Sequence, residues 1–284
     1  MAFKGQTNRL LGYGPDARLL IINADDFGVC HAVNEAICGT LAEGLVRSTS
    51  LMVPCPAMSH AARFLADHPQ QPFGVHLTAL SDSTHNRWRP MSDPAKVPSL
   101  LDEAGYFYDF EHMGEFMARV SLDQLEIEFR TQIEVVLAAG LRPSQLDWHS
   151  LRISKRDDIF DVMFGLAREY GLAQRVSSQS ATAKLQSRGL PCVDHDVLDS
   201  YGLDPGTRAA TYVRLLRELP VGLNEWAVHP GLDTPELLAL EPGGHYVRQA
   251  DYDFFTSREA QDVVQEEGII LLDYRALQAI WNLR

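Results

Sequence analysis

The stretch Leu19-Leu20-Ile21-Ile22-Asn23-Ala24-Asp25-Asp26-Phe27-Gly28 decides the fold, because it carries an apolar run straight into a pair of carboxylates. A short, uninterrupted apolar run is typical of a strand that is buried on both faces of a parallel sheet. Adjacent carboxylates at its end repel each other, and each raises the pKa of the other unless a cation binds beside them. The pair therefore indicates a cation site, with N-capping of the next helix by one Asp as the alternative.

Further strand patterns recur along the chain, and most are followed by a helical pattern. Strands are predicted at residues 48–53, 73–77, 145–148, 224–228 and 269–272. Helices are predicted at residues 33–41, 57–66, 123–139, 158–170, 207–218, 257–267 and 276–281, whereas the pattern over 177–206 favours no element. Strands that alternate with helices imply parallel βα units.

We therefore predict an α/β fold with a single (β/α) barrel, distorted or incomplete, over residues 18–284. Residues 1–17 are polar and are predicted to form a peripheral N-terminal segment. A doubly wound open sheet is the alternative architecture, because hydrophobic periodicity alone does not separate it from a barrel.

The composition excludes several classes of protein. The formal net charge is −13 and the sequence shows no cluster of Lys and Arg, which argues against a nucleic-acid partner. The four cysteines form no C-x-x-C pair and are expected to be free thiols. No apolar run is long enough for a membrane span, and no secretory leader is evident, so we expect a cytoplasmic protein.

Three histidines follow predicted strands. They stand in Gly74-Val75-His76-Leu77-Thr78, in Asp147-Trp148-His149 and in His229-Pro230-Gly231. Each histidine alone fits a satisfied core residue. Together with the acidic pair they are stronger evidence, because a barrel brings the carboxyl ends of its strands to one face. Two imidazoles and a carboxylate suit Zn²⁺, Mn²⁺, Co²⁺ or Fe²⁺. Mg²⁺ prefers oxygen ligands but stays a candidate beside Zn²⁺.

These motifs resemble those of the YdjC-like family of carbohydrate deacetylases. The resemblance rests on the sequence from Asn23 to Gly28, on Ser48-Thr49-Ser50-Leu51-Met52-Val53 and on the three histidine motifs. Arg258-Glu259 is similar to an arginine–glutamate pair of the family. The segments occur in the order of the family and extend from about residue 18 to about residue 275.

The resemblance implies a barrel related to polysaccharide deacetylases and one divalent metal ion. It implies Asp26, His76 and His149 as metal ligands, Asp25 as the catalytic base and His229 as the catalytic acid. The implied reaction is hydrolysis of the acetyl group of an N-acetylated sugar. A homodimer is a further implication of the family.

Five other residues are interpreted as supporting groups. Asp147 is expected to orient a histidine or the substrate. Trp148 either stacks on a sugar or packs in the core. Trp88 lies in the irregular segment 78–108, which forms either a lid over the sugar or a solvated surface loop. Glu225 and Arg258 are expected beside the site.

Two other functions stay open. The same cation site would serve a hydrolase of a different amide or of a phosphoester. A non-catalytic sugar-binding or regulatory protein could also retain the barrel, although the sequence keeps both the base and the acid that the resemblance implies.

Overall fold

The computed structural model describes residues 5–150 and 156–283. Its centre is an eight-stranded parallel sheet. The strands are β1 (Arg18–Phe27), β2 (Ser48–Leu51), β3 (Phe73–Leu77), β4 (Gln145–Trp148), β5 (Ala173–Gln174), β6 (Leu198–Asp199), β7 (Gly222–Val228) and β8 (Ile270–Leu272). The predicted strands are confirmed, whereas the two-residue strands β5 and β6 are too short to leave a hydrophobic pattern.

The order of the strands is that of a barrel with a gap. The hydrogen-bonded order is β5-β4-β3-β2-β1-β7-β6, and β8 pairs with the first half of β1. The order along the chain is thus kept around a circle from β1 to β5 and from β6 back to β1. Within the described residues no pairing joins β5 to β6, so the circle stays open. The predicted incomplete barrel is confirmed.

Helices cover the outside of this sheet. They are α1 (Gln6–Leu10), α2 (His31–Glu43), α3 (Met58–Asp67), α4 (Met113–Arg119), α5 (Leu122–Ala138), α6 (Asp157–Tyr170), α7 (Gln179–Ser187), α8 (Arg208–Arg217), α9 (Pro235–Leu240), α10 (His245–Phe255), α11 (Arg258–Glu266) and α12 (Tyr274–Trp281). Helix α5 buries Leu125, Phe129, Ile133 and Val136, a spacing of three and four residues that puts one apolar face on the sheet. None of the helices in the described ranges is long and apolar enough to cross a lipid bilayer.

Strand β1 runs through the acidic pair instead of stopping before it. Asp26 has a φ of 72°, and the pairing of β1 with β2 shifts between Ala24 and Phe27. Side chains of a regular strand alternate between faces, and such an irregularity lets both adjacent carboxylates reach one site. Helix α2 begins later, with Cys30 as its N-cap residue. The N-capping alternative for the acidic pair is therefore wrong.

The N-terminal segment contacts the barrel through two buried residues. Thr7 and Asn8 of α1 are fully buried. The hydroxyl of Thr7 donates to the carbonyl of Cys192 at 2.6 Å, and the amide of Asn8 donates to the carbonyl of Ala17 at 2.9 Å. Thr7 and Asn8 therefore anchor α1 to the barrel, whereas residues 9–17 are partly or fully exposed, and a peripheral N-terminal segment stays a prediction. The four cysteines are free thiols, as predicted.

The irregular segment after β3 is a packed insertion. It contains short 3₁₀ helices at Pro94–Lys96, Pro98–Leu100 and Phe110–His112. Trp88 is 2% exposed, and the buried carboxylate of Glu128 on α5 accepts two backbone N–H bonds from the segment at 3.0 Å. A solvated surface loop is thus the wrong alternative. The role of the segment as a lid over a sugar stays a prediction.

Gly28 provides a test of the turn that follows the acidic pair. Its φ is +113°, and an added Cβ would lie 2.9 Å from the carbonyl oxygen of Met52. We expect Gly28→Ala to lower the free energy of unfolding by about 1–3 kcal/mol, because both the backbone strain and the contact are unfavourable. Chemical denaturation measures this change.

The matched control is Gly165→Ala in the middle of α6, where an added Cβ meets nothing within 4 Å in the described parts of the chain. This control should raise stability by about 0.5–1 kcal/mol, because alanine is the better helix former. Equal stabilities of Gly28→Ala and the parent would contradict the assignment of a strained turn.

Candidate metal centre

Three candidate ligands converge at the carboxyl ends of neighbouring strands. Asp26 is the penultimate residue of β1, His76 lies in β3 and His149 directly follows β4. One donor atom from each lies within 4.8 Å of the other two, and all three residues are buried. Asp26 Oδ1 is 3.4 Å from Nε2 of His76 and 3.3 Å from Nδ1 of His149. The structure therefore brings together the three residues that the sequence analysis named as ligands.

Each imidazole is oriented by a carboxylate on its far side. Nδ1 of His76 lies 2.6 Å from Oδ1 of Asp147. Nε2 of His149 lies 2.7 Å from Oδ1 of Asp82 in the insertion. These contacts leave one nitrogen of each ring turned toward Asp26, an arrangement common behind metal-binding histidines. The sequence analysis named Asp147 but missed Asp82, which no motif marks.

The donor set fits a divalent ion. Asp26 Oδ1 is buried and has no hydrogen-bond partner of good geometry among the described residues. A buried, unpaired carboxylate oxygen is costly unless a cation or a donor satisfies it. An ion bound to this oxygen and to the two free imidazole nitrogens would remove the cost. Asp26, His76 and His149 would hold it.

The same geometry shifts the pKa values of the candidate ligands. Burial opposes protonation of His76, but the negative charges of Asp147 and Asp25 raise its pKa to about 10. Burial likewise opposes protonation of His149, but the negative charge of Asp82 and the carboxylate of Asp26, 3.3 Å away, raise its pKa to about 9. In the metal-free protein both imidazoles are therefore protonated at neutral pH.

Asp25 lies next to the three ligands and is held in place by a guanidinium. Its Oδ2 is 4.0 Å from Nε2 of His76. Arg175 donates to both carboxylate oxygens of Asp25, at 2.7 and 2.8 Å, and Asn23 donates to one of them at 2.6 Å. Burial raises the pKa of Asp25, but the charges of Arg175 and His76 outweigh it and bring the pKa to about 2. Asp25 is thus an ionised carboxylate at neutral pH.

Glu225 supports this arrangement from behind. It is fully buried and accepts from Nε of Arg175 at 2.6 Å and from the hydroxyl of Tyr274. Among the described residues, Glu225 therefore reaches the site through its hydrogen bond with Arg175, which it holds in position. Arg175 was missed by the sequence analysis because the strand before it, β5, has only two residues.

His229 directly follows β7. Its backbone N–H donates to Oδ2 of Asp251 at 2.7 Å, and the ring of Tyr201 meets its ring edge-on at 4.8 Å. Nδ1 of His229 is buried and makes no hydrogen bond to the described part of the chain.

The remaining supporting residues separate into two buried rings and one surface residue. Trp88 contacts His149, with ring centres 5.4 Å apart, and its burial leaves no face for a sugar. Trp148 is 8% exposed and packs in the hydrophobic core, the second of its two considered roles. The side chain of Arg258 is 79% exposed and pairs with Asp262 one helical turn away. Its expected place beside the site is wrong, because the first turn of α11 points it to solvent.

A buried arginine from α10 takes the place expected for Arg258. Nη2 of Arg248 donates to Oδ2 of Asp26 at 2.8 Å. A sequence signal for it exists, since Arg248 and Asp251 share helical spacing with Phe255 on the buried face of α10. Charged residues within an apolar helix face are unusual and mark a buried ionic network.

The fold and the donors define a class of proteins, incomplete (β/α) barrels with a candidate divalent-metal site of one aspartate and two histidines at the mouth. A model of the family described as YdjC-like protein matches residues 19–266, and the chain belongs to this family.

Relatives and a solved structure agree with this assignment. A carbohydrate deacetylase from Enterococcus faecalis is 33% identical over 91% of this chain and 97% of its own length. A carbohydrate deacetylase from Thermoanaerobacter pseudethanolicus is 28% identical over 92% of this chain and 100% of its own. A crystal structure from Enterococcus faecalis V583, of a protein provisionally assigned to cellobiose-phosphate cleavage, superimposes with a TM-score of 0.80. It is 29% identical and covers 92% of this chain and 99% of that one.

The raised pKa values predict how metal binding depends on pH. An ion must displace the protons of His76 and His149, so its affinity should rise as pH increases toward their pKa values of about 10 and about 9. Between pH 6 and 8 we expect an increase of about 10- to 100-fold in Co²⁺ affinity per pH unit, since one or two protons are released. Calorimetric titration in buffers of different ionisation enthalpy measures both quantities.

The control is His68→Gln, which changes an exposed histidine at the end of α3. It should leave both the affinity and the proton count unchanged. A Co²⁺ affinity that does not vary between pH 6 and 8 would show that the ion displaces no protons from the two imidazoles.

Proposed function

We propose that this chain is a metal-dependent hydrolase that removes the acetyl group from an N-acetylated sugar. The observation that carries the proposal is the ionised carboxylate of Asp25, which is not one of the three candidate ligands. Its Oδ2 lies 4.0 Å from Nε2 of the candidate ligand His76. Relatives named carbohydrate deacetylase match more than nine-tenths of this chain, which supports the substrate class. A homodimer and a cytoplasmic location stay predictions from the sequence.

A bound divalent ion supplies Lewis acidity that polarises an amide carbonyl and acidifies a water molecule. The donors support Zn²⁺, Mn²⁺, Co²⁺ or Fe²⁺, because two of the three candidate ligands are imidazoles. Mg²⁺ stays a candidate, although its preference for oxygen ligands fits this donor set less well. Asp147 and Asp82 hold the two rings so that the nitrogens facing Asp26 carry no competing hydrogen bond.

Asp25 is the proposed proton acceptor. A water oxygen attacks the acetyl carbon while one of its protons passes to a carboxylate oxygen of Asp25. With a pKa of about 2 this carboxylate is a weak base in isolation, so the transfer requires an acidified water. Arg175 keeps the carboxylate ionised and fixes the direction in which its oxygens point.

His229 is the proposed proton donor. The C–N bond of the amide breaks as His229 gives a proton to the departing nitrogen, because an unprotonated amide nitrogen is a poor leaving group. The products are acetate and the free amine of the sugar. The backbone of His229 is held by Asp251, while its buried Nδ1 is without a partner in the described ranges and is available for this role.

The test of the reaction is acetate release from a panel of N-acetylated sugars, including free N-acetylglucosamine and chito-oligosaccharides. We expect release from at least one member of the panel, loss of turnover with a chelator and recovery when a divalent ion is added back. Release of phosphate from a phosphoester panel without any acetate release would favour the other hydrolase and contradict the proposal.

Asp25→Asn separates catalysis from metal binding. The amide can still meet Arg175 but cannot take a proton, so we expect turnover to fall by about 10²- to 10⁴-fold while bound metal stays near one ion per chain. Asp67→Asn, at an exposed carboxylate at the end of α3, serves as the control and should keep full turnover. If Asp25→Asn loses its metal together with its fold, Asp25 is a structural group and the proposed base is wrong.

A further inference from the structure

Arg248 is fixed between two carboxylates beside the candidate metal centre. Its side chain is 3% exposed. Nη2 donates to Oδ2 of Asp26 at 2.8 Å, and Nε donates to Oε2 of Glu241 at 2.6 Å. These two nitrogens lie on one edge of a planar group, so the paired contacts prevent the guanidinium from rotating. Arg248 therefore fixes the orientation of the Asp26 carboxylate as well as neutralising its charge.

The contact with Arg248 determines which oxygen of Asp26 remains free. Oδ2 accepts from the guanidinium, and Oδ1 is the oxygen that lies 3.3 Å from His149 and 3.4 Å from His76. A carboxylate with one oxygen occupied in this way offers the other oxygen alone to an ion. The backbone of Asp26 is also in the left-handed region, with φ 72°, so its position depends on such outside support.

The backbone of the His-Pro-Gly motif packs directly against Arg248. The backbone N–H of Gly231 donates to the carbonyl of Arg248 at 3.0 Å. A Cβ added at Gly231 would lie 2.9 Å from Cβ of Arg248. Only a residue without a side chain fits at position 231 beside Arg248. The motif is thereby linked, through Arg248, to Asp26.

The other end of the network reaches His229. The hydroxyl of Tyr201 donates to Oε1 of Glu241 at 2.7 Å, and the ring of Tyr201 lies edge-on to that of His229 with centres 4.8 Å apart. The guanidinium carbon of Arg248 lies 5.7 Å from the centre of the same tyrosine ring. Glu241 thus joins Arg248 to Tyr201, and each of its two oxygens has one partner.

We infer that Arg248, Glu241 and Tyr201 form a positioning chain that orients the carboxylate of Asp26 at one end and the ring of His229 at the other. The His229 end rests on the proposed function. The Asp26 end rests on geometry and is tested by metal binding without any substrate. This positioning chain connects the candidate metal ligand Asp26 with the proposed proton donor His229.

Arg248→Lys tests the Asp26 end, because it keeps the positive charge and removes the two-nitrogen edge. We expect Co²⁺ affinity to fall by about 10- to 100-fold and the visible absorption of the Co²⁺ complex to change, as for other residues that orient metal ligands. The matched control is Arg208→Lys, a buried arginine at the start of α8 that donates to the carbonyl of Leu203. This control should leave Co²⁺ affinity and spectrum unchanged.

Glu241 provides a second pair of variants that alters the chain from its more exposed side. Glu241→Ala frees Nε of Arg248 and should weaken Co²⁺ binding by several-fold. Glu241→Gln keeps an oxygen for Arg248 and an amide that can meet the hydroxyl of Tyr201, so we expect it to restore parent affinity. If Arg248→Lys does not fold, this pair decides the Asp26 end.

Tyr201→Phe tests the His229 end, because it removes the hydroxyl and keeps the ring. We expect Co²⁺ affinity within about twofold of the parent. The kcat for acetate release should be about 10-fold lower at unchanged KM, because the aromatic ring that contacts His229 is no longer anchored by a hydrogen bond to Glu241.

The inference is overturned if a folded Arg248→Lys, or Glu241→Ala where the former does not fold, binds Co²⁺ as tightly as the parent. Parent values of kcat in Tyr201→Phe overturn the His229 end. Absence of acetate release by the parent would remove the proposed function, while the Co²⁺ measurements would still decide the Asp26 end.

Discussion

The structure depends on the burial of adjacent carboxylates in one strand of the barrel. Asp25 and Asp26 are 4% and 2% exposed, and two like charges at this depth interact strongly because little water screens them. Arg175 pairs with Asp25 and Arg248 pairs with Asp26, and each arginine reaches a further glutamate. The rest of the site is organised around this neutralisation.

Within the buried part of the site, the charges linked to the acidic pair leave a deficit of two positive charges. Four buried carboxylates, Asp25, Asp26, Asp147 and Glu225, face two buried guanidiniums, Arg175 and Arg248. Asp82 beside His149 and Glu241 beside Arg248 have side chains that are 18% and 26% exposed, so water screens their charges and they stand outside this balance. In the metal-free protein the two missing positive charges come from protons on His76 and His149, whose pKa values are raised to about 10 and about 9. A divalent ion supplies the same charge once those protons leave. The site is therefore a charge-balanced trap for a single divalent cation.

The sequence predicted the main strands, the incomplete barrel and the residues that converge in the candidate centre. It succeeded because apolar runs mark buried parallel strands and because a barrel gathers the ends of those strands at one face. Arg175, Asp82 and Arg248 could not be found in this way, since each reaches the site from a short strand, an insertion or a remote helix. Arg258 was placed wrongly because its position in a motif does not reveal the helix face that it occupies.

The most direct test of the charge-balanced trap is a crystal structure of the protein loaded with Zn²⁺, with the ion located by anomalous scattering. The account predicts one ion, about 2.0–2.2 Å from Oδ1 of Asp26, Nε2 of His76 and Nδ1 of His149. It also predicts that Arg248 stays on Oδ2 of Asp26. An ion bound elsewhere, or bound by both oxygens of Asp26 with Arg248 displaced, would contradict it.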